Sequence, residues 1–167
     1  WVGPSHAWAA HQKTFLEHLQ VRNVVIQAGG NCGLYPRLFA KYFNTVYTFE
    51  PDPLNFHCLV NNCQKDNIIK FNCALGDENR LVSVQRGHMG NVGTHTIGIK
   101  DNNIIPQITI DSLNVDCCDL IQLDVEGYEI KILNGAISTI DKYKPIITVE
   151  NGFHPPIVTF FNQHNYE

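Results

Sequence analysis

Val24-Val25-Ile26-Gln27-Ala28-Gly29-Gly30-Asn31-Cys32-Gly33 decides the reading of this chain. Val24 to Ile26 is an apolar β-branched run, the mark of a strand buried on both faces. Glycines stand at 29, 30 and 33, and apolar side chains follow at 34, 35, 38, 39, 42 and 43, a helical stripe. The order is strand, glycine turn, helix. Glycine lets the backbone approach a ligand with no Cβ in the way, and the N–H groups at the helix start are expected to face it. A further strand is expected over 45–49. Glu50 ends it, about 20 residues on, where a ribose hydroxyl finds an acceptor. This turn is expected to bind part of a nucleotide or nucleotide-like cofactor.

The same alternation continues outward. Pro51-Asp52-Pro53 stops a strand and starts a helix, expected over 54–65. A third strand is expected over 67–73, leading into Asn72-Cys73-Ala74-Leu75-Gly76-Asp77. Residues 81–85 alternate as an added strand would. Residues 86–96 are rich in Gly, His and Asn and read as a functional loop. Residues 104–110 fit either a strand or an irregular stretch broken at Pro106. Asp111 is expected to N-cap a short helix. A fourth parallel strand is expected over 118–125, a single helix over 128–140, and a fifth strand over 146–149. Pro155-Pro156 opens a last helix, and Tyr166-Glu167 reads as the start of another strand. Before all of these, 1–20 is expected to hold a helix that flanks the first strand.

Strands alternating with helices over short links predict an α/β fold: a doubly wound, mostly parallel, Rossmann-like sheet in one domain, 1–167. A chain of 167 residues is enough for one sizeable core. Hydrophobic residues at 44% and charged residues at 17% exclude a disordered chain. The net charge of −4, with no basic block, argues against nucleic acid as the partner. No apolar run is long enough to span a bilayer, and no signal peptide is evident. The six cysteines form no Cys-x-x-Cys pair, so they are read as reduced thiols of a cytoplasmic protein, not as zinc ligands.

Six motifs, taken in order, resemble the FkbM family of S-adenosylmethionine-dependent class I methyltransferases. They are Gln27-Ala28-Gly29-Gly30-Asn31-Cys32-Gly33, Phe49-Glu50-Pro51-Asp52-Pro53, Asn72-Cys73-Ala74-Leu75-Gly76-Asp77, Leu123-Asp124-Val125-Glu126-Gly127-Tyr128-Glu129, Leu133-Asn134-Gly135-Ala136, and Lys144-Pro145-Ile146-Ile147-Thr148-Val149-Glu150. Each is modest alone; their order and spacing are specific, and together they cover roughly residues 23 to 152. The resemblance implies S-adenosyl-L-methionine as donor and O-methylation of a hydroxyl on a sugar or small natural product. It also implies a glycan or small-molecule acceptor, with no nucleic acid and no membrane involved. Two departures stand out. The family usually has an acid where Gln27 stands. Class I folds also carry two further strands after the fifth, so the C-terminal strands are expected to be shortened or missing.

On that resemblance Gly29, Gly30, Asn31 and Gly33 admit the methionine end of the donor. Glu50 accepts from the ribose hydroxyls, Asp52 flanks the adenine, and Asn72, Cys73 and Ala74 border it. Asp124 and Glu126 face methyl transfer, one as base or as positioner of the acceptor. Plainer roles stay open: Glu50 as a helix cap, Asp124 as an acceptor of backbone N–H groups, Glu126 as a neutraliser of a helix start. Asp124 with Glu150-Asn151 offers oxygen ligands for Mg²⁺. Two other functions fit part of the pattern. One is a NAD-dependent oxidoreductase, through Ala28-x-Gly30-x-x-Gly33 and Glu50. The other is a non-catalytic S-adenosylmethionine-binding module, through Gln27.

Overall fold

The computed structural model of the chain describes residues 16–85, 96–98, 104–150 and 152–166. Its centre is a five-stranded sheet, all parallel, in the order β3-β2-β1-β8-β9. The strands are β1 (Val24–Ala28), β2 (Thr45–Phe49), β3 (Ile68–Phe71), β8 (Leu120–Leu123) and β9 (Ile146–Val149). The order runs outward one way from β1 to β3 and the other way from β8 to β9. The crevice between β1 and β8 is therefore the switch point, where ligands enter such sheets.

Alternation along each strand divides the core. Val25, Val46, Ile68 and Leu120 point to one face, with Leu16 and Leu19. That face is covered by α1 (Leu34–Phe39) through Phe39 and by α2 (Pro53–Asn62) through Leu59. Ile26, Ala28, Phe49, Ile121 and Leu123 point to the other. There they meet α3 (Glu129–Asn134), α4 (Ile137–Tyr143) and α5 (Pro155–Gln163) through Ile132, Leu133, Ile140, Ile157 and Phe160. Each such side chain, fully buried, contributes about 1.5–3 kcal/mol.

One rank of the sheet breaks the apolar pattern. Lys70, Thr48, Gln27, Gln122 and Thr148 are successive register partners across all five strands. Thr48 Oγ1 donates to Gln27 Oε1, and Gln27 Nε2 donates to the Ala28 carbonyl at 3.0 Å. Gln122 Oε1 and Thr148 Oγ1 are buried without a hydrogen-bond partner among the described residues.

The structure corrects several expectations. Residues 74–108 add a second, mixed sheet in the order β4-β7-β5-β6. Its strands are β4 (Ala74–Leu75), β5 (Arg80–Gln85), β6 (Thr96–Gly98) and β7 (Ile104–Ile108). Pro106 does not break β7, because β4 pairs only with Gln107 and Ile108 and leaves one side of the proline free.

The helix expected over 128–140 is two helices, parted at Gly135-Ala136. A Cβ on Gly135 would collide with the carbonyl oxygen of Gly76, so the break brings two backbones into contact. Asp111 lies in a 3₁₀ turn (Asp111–Leu113) whose N-cap is Ile110. Its carboxylate caps α4 instead, accepting from Ser138 N (3.0 Å), Thr139 N (2.8 Å) and Thr139 Oγ1 (2.8 Å). Tyr166 starts no strand: its N–H closes back on the Phe161 carbonyl, and its hydroxyl donates to the Pro145 carbonyl.

The flanking helix is described only from residue 16, where 16–18 are helical. Its earlier part and the loop 86–95 lie outside the described residues. Among the described residues no helix is long and apolar enough to cross a membrane.

Candidate active site

A cavity of about 620 Å³ opens at the switch point. Three strand ends build it. Ala28 and Gly29 come from β1, Phe49 and Glu50 from β2, and Asp124 follows β8. Gly30, Asn31, Cys73, Ala74 and Glu126 complete the set of sequence candidates on its wall.

The glycine turn is drawn into the sheet. Gly29 N–H and Gly30 N–H both donate to the Phe49 carbonyl, at 3.1 and 2.9 Å. Asn31 N–H donates to Glu50 Oε2 at 2.7 Å. The neighbouring strand and its acid take these three N–H groups of the turn. Gly29 has φ 85°, and a Cβ there would collide with the Asp124 carbonyl oxygen, so glycine permits the β1 and β8 ends to touch.

Glu50 is 4% exposed. Its second oxygen accepts Asp52 N–H at 2.8 Å. Burial pushes its carboxyl up to about 7, against the backbone bonds from Asp52 and Asn31, which pull it down. A buried acid raised in this way gains from any further donor to its ionised form.

Not every candidate reaches the cavity wall. Asp52 is fully buried and N-caps α2, accepting from Leu54 N at 2.8 Å and Asn55 N at 3.0 Å. Asn72 donates to the Glu50 and Pro51 carbonyls at 2.8 and 3.2 Å, so it fixes the backbone that carries Glu50. Gly33 is the N-cap of α1. Gln27 is 0% exposed and spent on Thr48 and Ala28, away from the cavity. Conversely, Arg37, Tyr35, Asn55 and Cys58 line the wall without a sequence motif to announce them. Their only signal was position: the helices that follow the first two strands.

Asp124 and Glu126 lie where β8 ends. Glu126 and Gly127 have φ 51° and 87°, two left-handed residues in succession, which turns the chain sharply before α3. Burial, then the neighbouring Glu150, pushes the Asp124 carboxyl up to about 6. The described residues include no group of three or more His, Cys, Asp or Glu side chains that could hold a metal ion. Asn151, the other expected Mg²⁺ ligand, lies outside them.

The Glu126-Gly127 turn is braced from the second sheet. Tyr128 hydroxyl donates to Gln107 Oε1 at 2.9 Å, and Arg80 reaches the same hydroxyl at 3.3 Å. Gln107 in turn donates to the Glu78 carbonyl at 2.9 Å.

The family model described as the methyltransferase FkbM domain matches residues 27–167. The chain belongs to the FkbM methyltransferase family. Among curated proteins it is 25% identical over 154 residues to hexuronic acid methyltransferase AglP of Haloferax volcanii. That match takes in 88% of this chain and 64% of the relative, so the chain spans somewhat under two thirds of the relative's length. Among solved structures, methyltransferase FkbM from Methylobacillus flagellatus superposes with a TM-score of 0.56 at 20% identity, over 75% of this chain and 32% of that one. Precorrin-8w decarboxylase of Methanobacterium thermoautotrophicum superposes with a TM-score of 0.54 at 14% identity, over 99% of this chain and 75% of that one. These two likenesses speak to the fold: the Rossmann-like arrangement of methyltransferases.

Proposed function

We propose that this methyltransferase uses S-adenosyl-L-methionine to methylate a hydroxyl of a sugar or other small molecule. The observation that carries the reading is the meeting of Glu50, Asp124 and Glu126 around one cavity at the switch point. When bound, S-adenosylmethionine supplies a methyl carbon activated by its sulfonium and leaves as S-adenosylhomocysteine. Its charges suit the wall. Three carboxylates face a sulfonium and an ammonium, and Arg37 is the one Lys or Arg among the described lining residues to meet a carboxylate. Glu50 accepts from ribose hydroxyls. Phe49, Cys73, Ala74 and Leu75 give an apolar wall for the adenine.

The chain's part in the transfer is alignment and proton removal. An acceptor hydroxyl held in line with the methyl group gives its proton to Asp124 or Glu126 as the new O–C bond forms and the C–S bond breaks. A sugar acceptor draws support from the Haloferax volcanii relative, a hexuronic acid methyltransferase.

A NAD-dependent oxidoreductase fits the same turn less well. A diphosphate needs free N–H groups, and those of Gly29, Gly30 and Asn31 are engaged. A non-catalytic donor-binding module is favoured by one observation, the neutral and buried Gln27 where the family has an acid. Calorimetry with S-adenosylmethionine, S-adenosylhomocysteine and NAD tests the donor. Binding of NAD alone would overturn the reading. Transfer of isotopically labelled methyl to a glycan panel then separates enzyme from module.

A further inference from the structure

The surface opens again on the far side of residues 124–127. A second cavity, of about 490 Å³, is lined by Gly127, Glu129, Glu150, Phe153 and His154 among others. It adjoins the first: Glu126 lines the first wall, and the next residue, Gly127, lines the second. Glu129 is 2% exposed, and one of its oxygens accepts Gly127 N–H at 3.3 Å. The Phe153 ring stands 99% exposed. Among the described residues no lysine or arginine lines the cavity.

We propose that this second cavity seats the acceptor, and that it selects a neutral or amino-bearing sugar ring over one that carries a carboxylate. The proposal rests on the methyltransferase reading above and narrows its acceptor. Carboxylates accept paired hydroxyls or an ammonium and repel another carboxylate. A flat, unpartnered phenyl ring offers an apolar face to the C–H side of a pyranose. The proton argument agrees. A hydroxyl must lose a proton on methylation and finds Asp124 beside it, whereas an ionised carboxylate has none to lose and gains nothing from an acid cluster.

The test measures ring binding to the protein saturated with S-adenosylhomocysteine, by saturation-transfer NMR and calorimetry, with methyl glucoside, glucosamine and glucuronate. Methyl glucoside and glucosamine should bind at least tenfold tighter than glucuronate. Phe153→Ala should weaken both at least fivefold and leave S-adenosylhomocysteine affinity unchanged. Glu150→Gln should narrow the gap to glucuronate, which loss of shape alone would not do. Glucuronate binding as tightly as methyl glucoside would overturn the proposal. So would a failure of all three rings to bind while S-adenosylhomocysteine does. Failure of S-adenosylhomocysteine itself to bind would sink the donor reading instead.

Discussion

Glu50 Oε2 accepts the backbone N–H of Asn31 at 2.7 Å, so the acid that ends β2 also holds the turn that ends β1. One side chain thereby shapes the cavity and presents its acceptor to it. Glu50→Ala removes both effects. Affinity for S-adenosylhomocysteine should fall by about 1.5–3 kcal/mol, the scale of a lost charged hydrogen bond. Calorimetry on the folded variant checks this, and unchanged affinity would remove Glu50 from the donor site.

The same carboxyl predicts a pH dependence of binding. It titrates at about 7 in the free protein, and ribose hydroxyls favour its ionised form. Donor affinity should therefore weaken as pH falls below about 7, with proton release on binding there. Calorimetry in buffers of different ionisation enthalpy reads the proton count. In Glu50→Gln the dependence should be gone.

Stability runs the opposite way. The Glu50 carboxyl is raised from 4.5 to about 7, and that of Asp124 from 3.8 to about 6, both chiefly by burial. A group raised on folding contributes stability that is full below its unfolded value and is lost as pH climbs through its folded value. The unliganded protein should thus lose stability from about pH 4 to about pH 7. Glu50→Gln should flatten that slope in thermal unfolding. A slope equal to that of the parent protein would mean that Glu50 does not titrate as its burial requires.

Asp124 and Glu126 should matter to turnover more than to donor binding. Asp124→Asn and Glu126→Gln should keep S-adenosylhomocysteine affinity within about tenfold. At least one should cost about 10²-fold or more in methyl transfer, the scale of a lost general base. If Asp124 is that base it must be ionised, so the parent rate should rise with pH through about 6 and then level. Normal turnover by both variants would place the base elsewhere, with His154 the next side chain to try.

Asp111→Ala should destabilise the fold without touching the site. Ala136, at the N-cap of α4, supplies no side-chain bond, and Asp111 provides the cap from a distance. A loss of about 1–2 kcal/mol is expected, as for other helix caps. A lower denaturation midpoint at unchanged slope is the signature.

The parallel sheet was legible because its strands are short apolar runs, four of the five followed at once by a glycine or an acid. Glu50, Asp124 and Glu126 were legible because they stand immediately after those runs. Periodicity failed where particular hydrogen bonds and contacts, near or distant in sequence, decide. Asp52 was assigned to adenine, yet the N–H groups of Leu54 and Asn55 claim it, as Asp before Pro at a helix start allows. The Asn134-Gly135 step hides in an otherwise continuous helical stripe, and only the nearness of Gly76 shows why glycine stands there. The second sheet was legible only in part: strands were read over 81–85 and, as one alternative, 104–110, but β4 is two residues long and finds its partner, β7, over thirty residues away. Arg37 and Tyr35 escaped because a helical stripe says which residues face the core and nothing about those beside a cavity.

The polar rank from Lys70 to Thr148 has a consequence for how the chain finds its fold. Parallel strands of valine, isoleucine and leucine are nearly interchangeable, and little in them marks one alignment over the next. A slip of one residue between β1 and β8 would turn Gln122 out of line with Gln27 and push its amide to the opposite face, among Ile26, Ala28, Ile121 and Leu123. The rank thus works as a registration mark, read once across the whole sheet. It penalises misaligned pairings while the sheet assembles, and so indirectly sets where every strand tip, and every acid upon it, comes to rest.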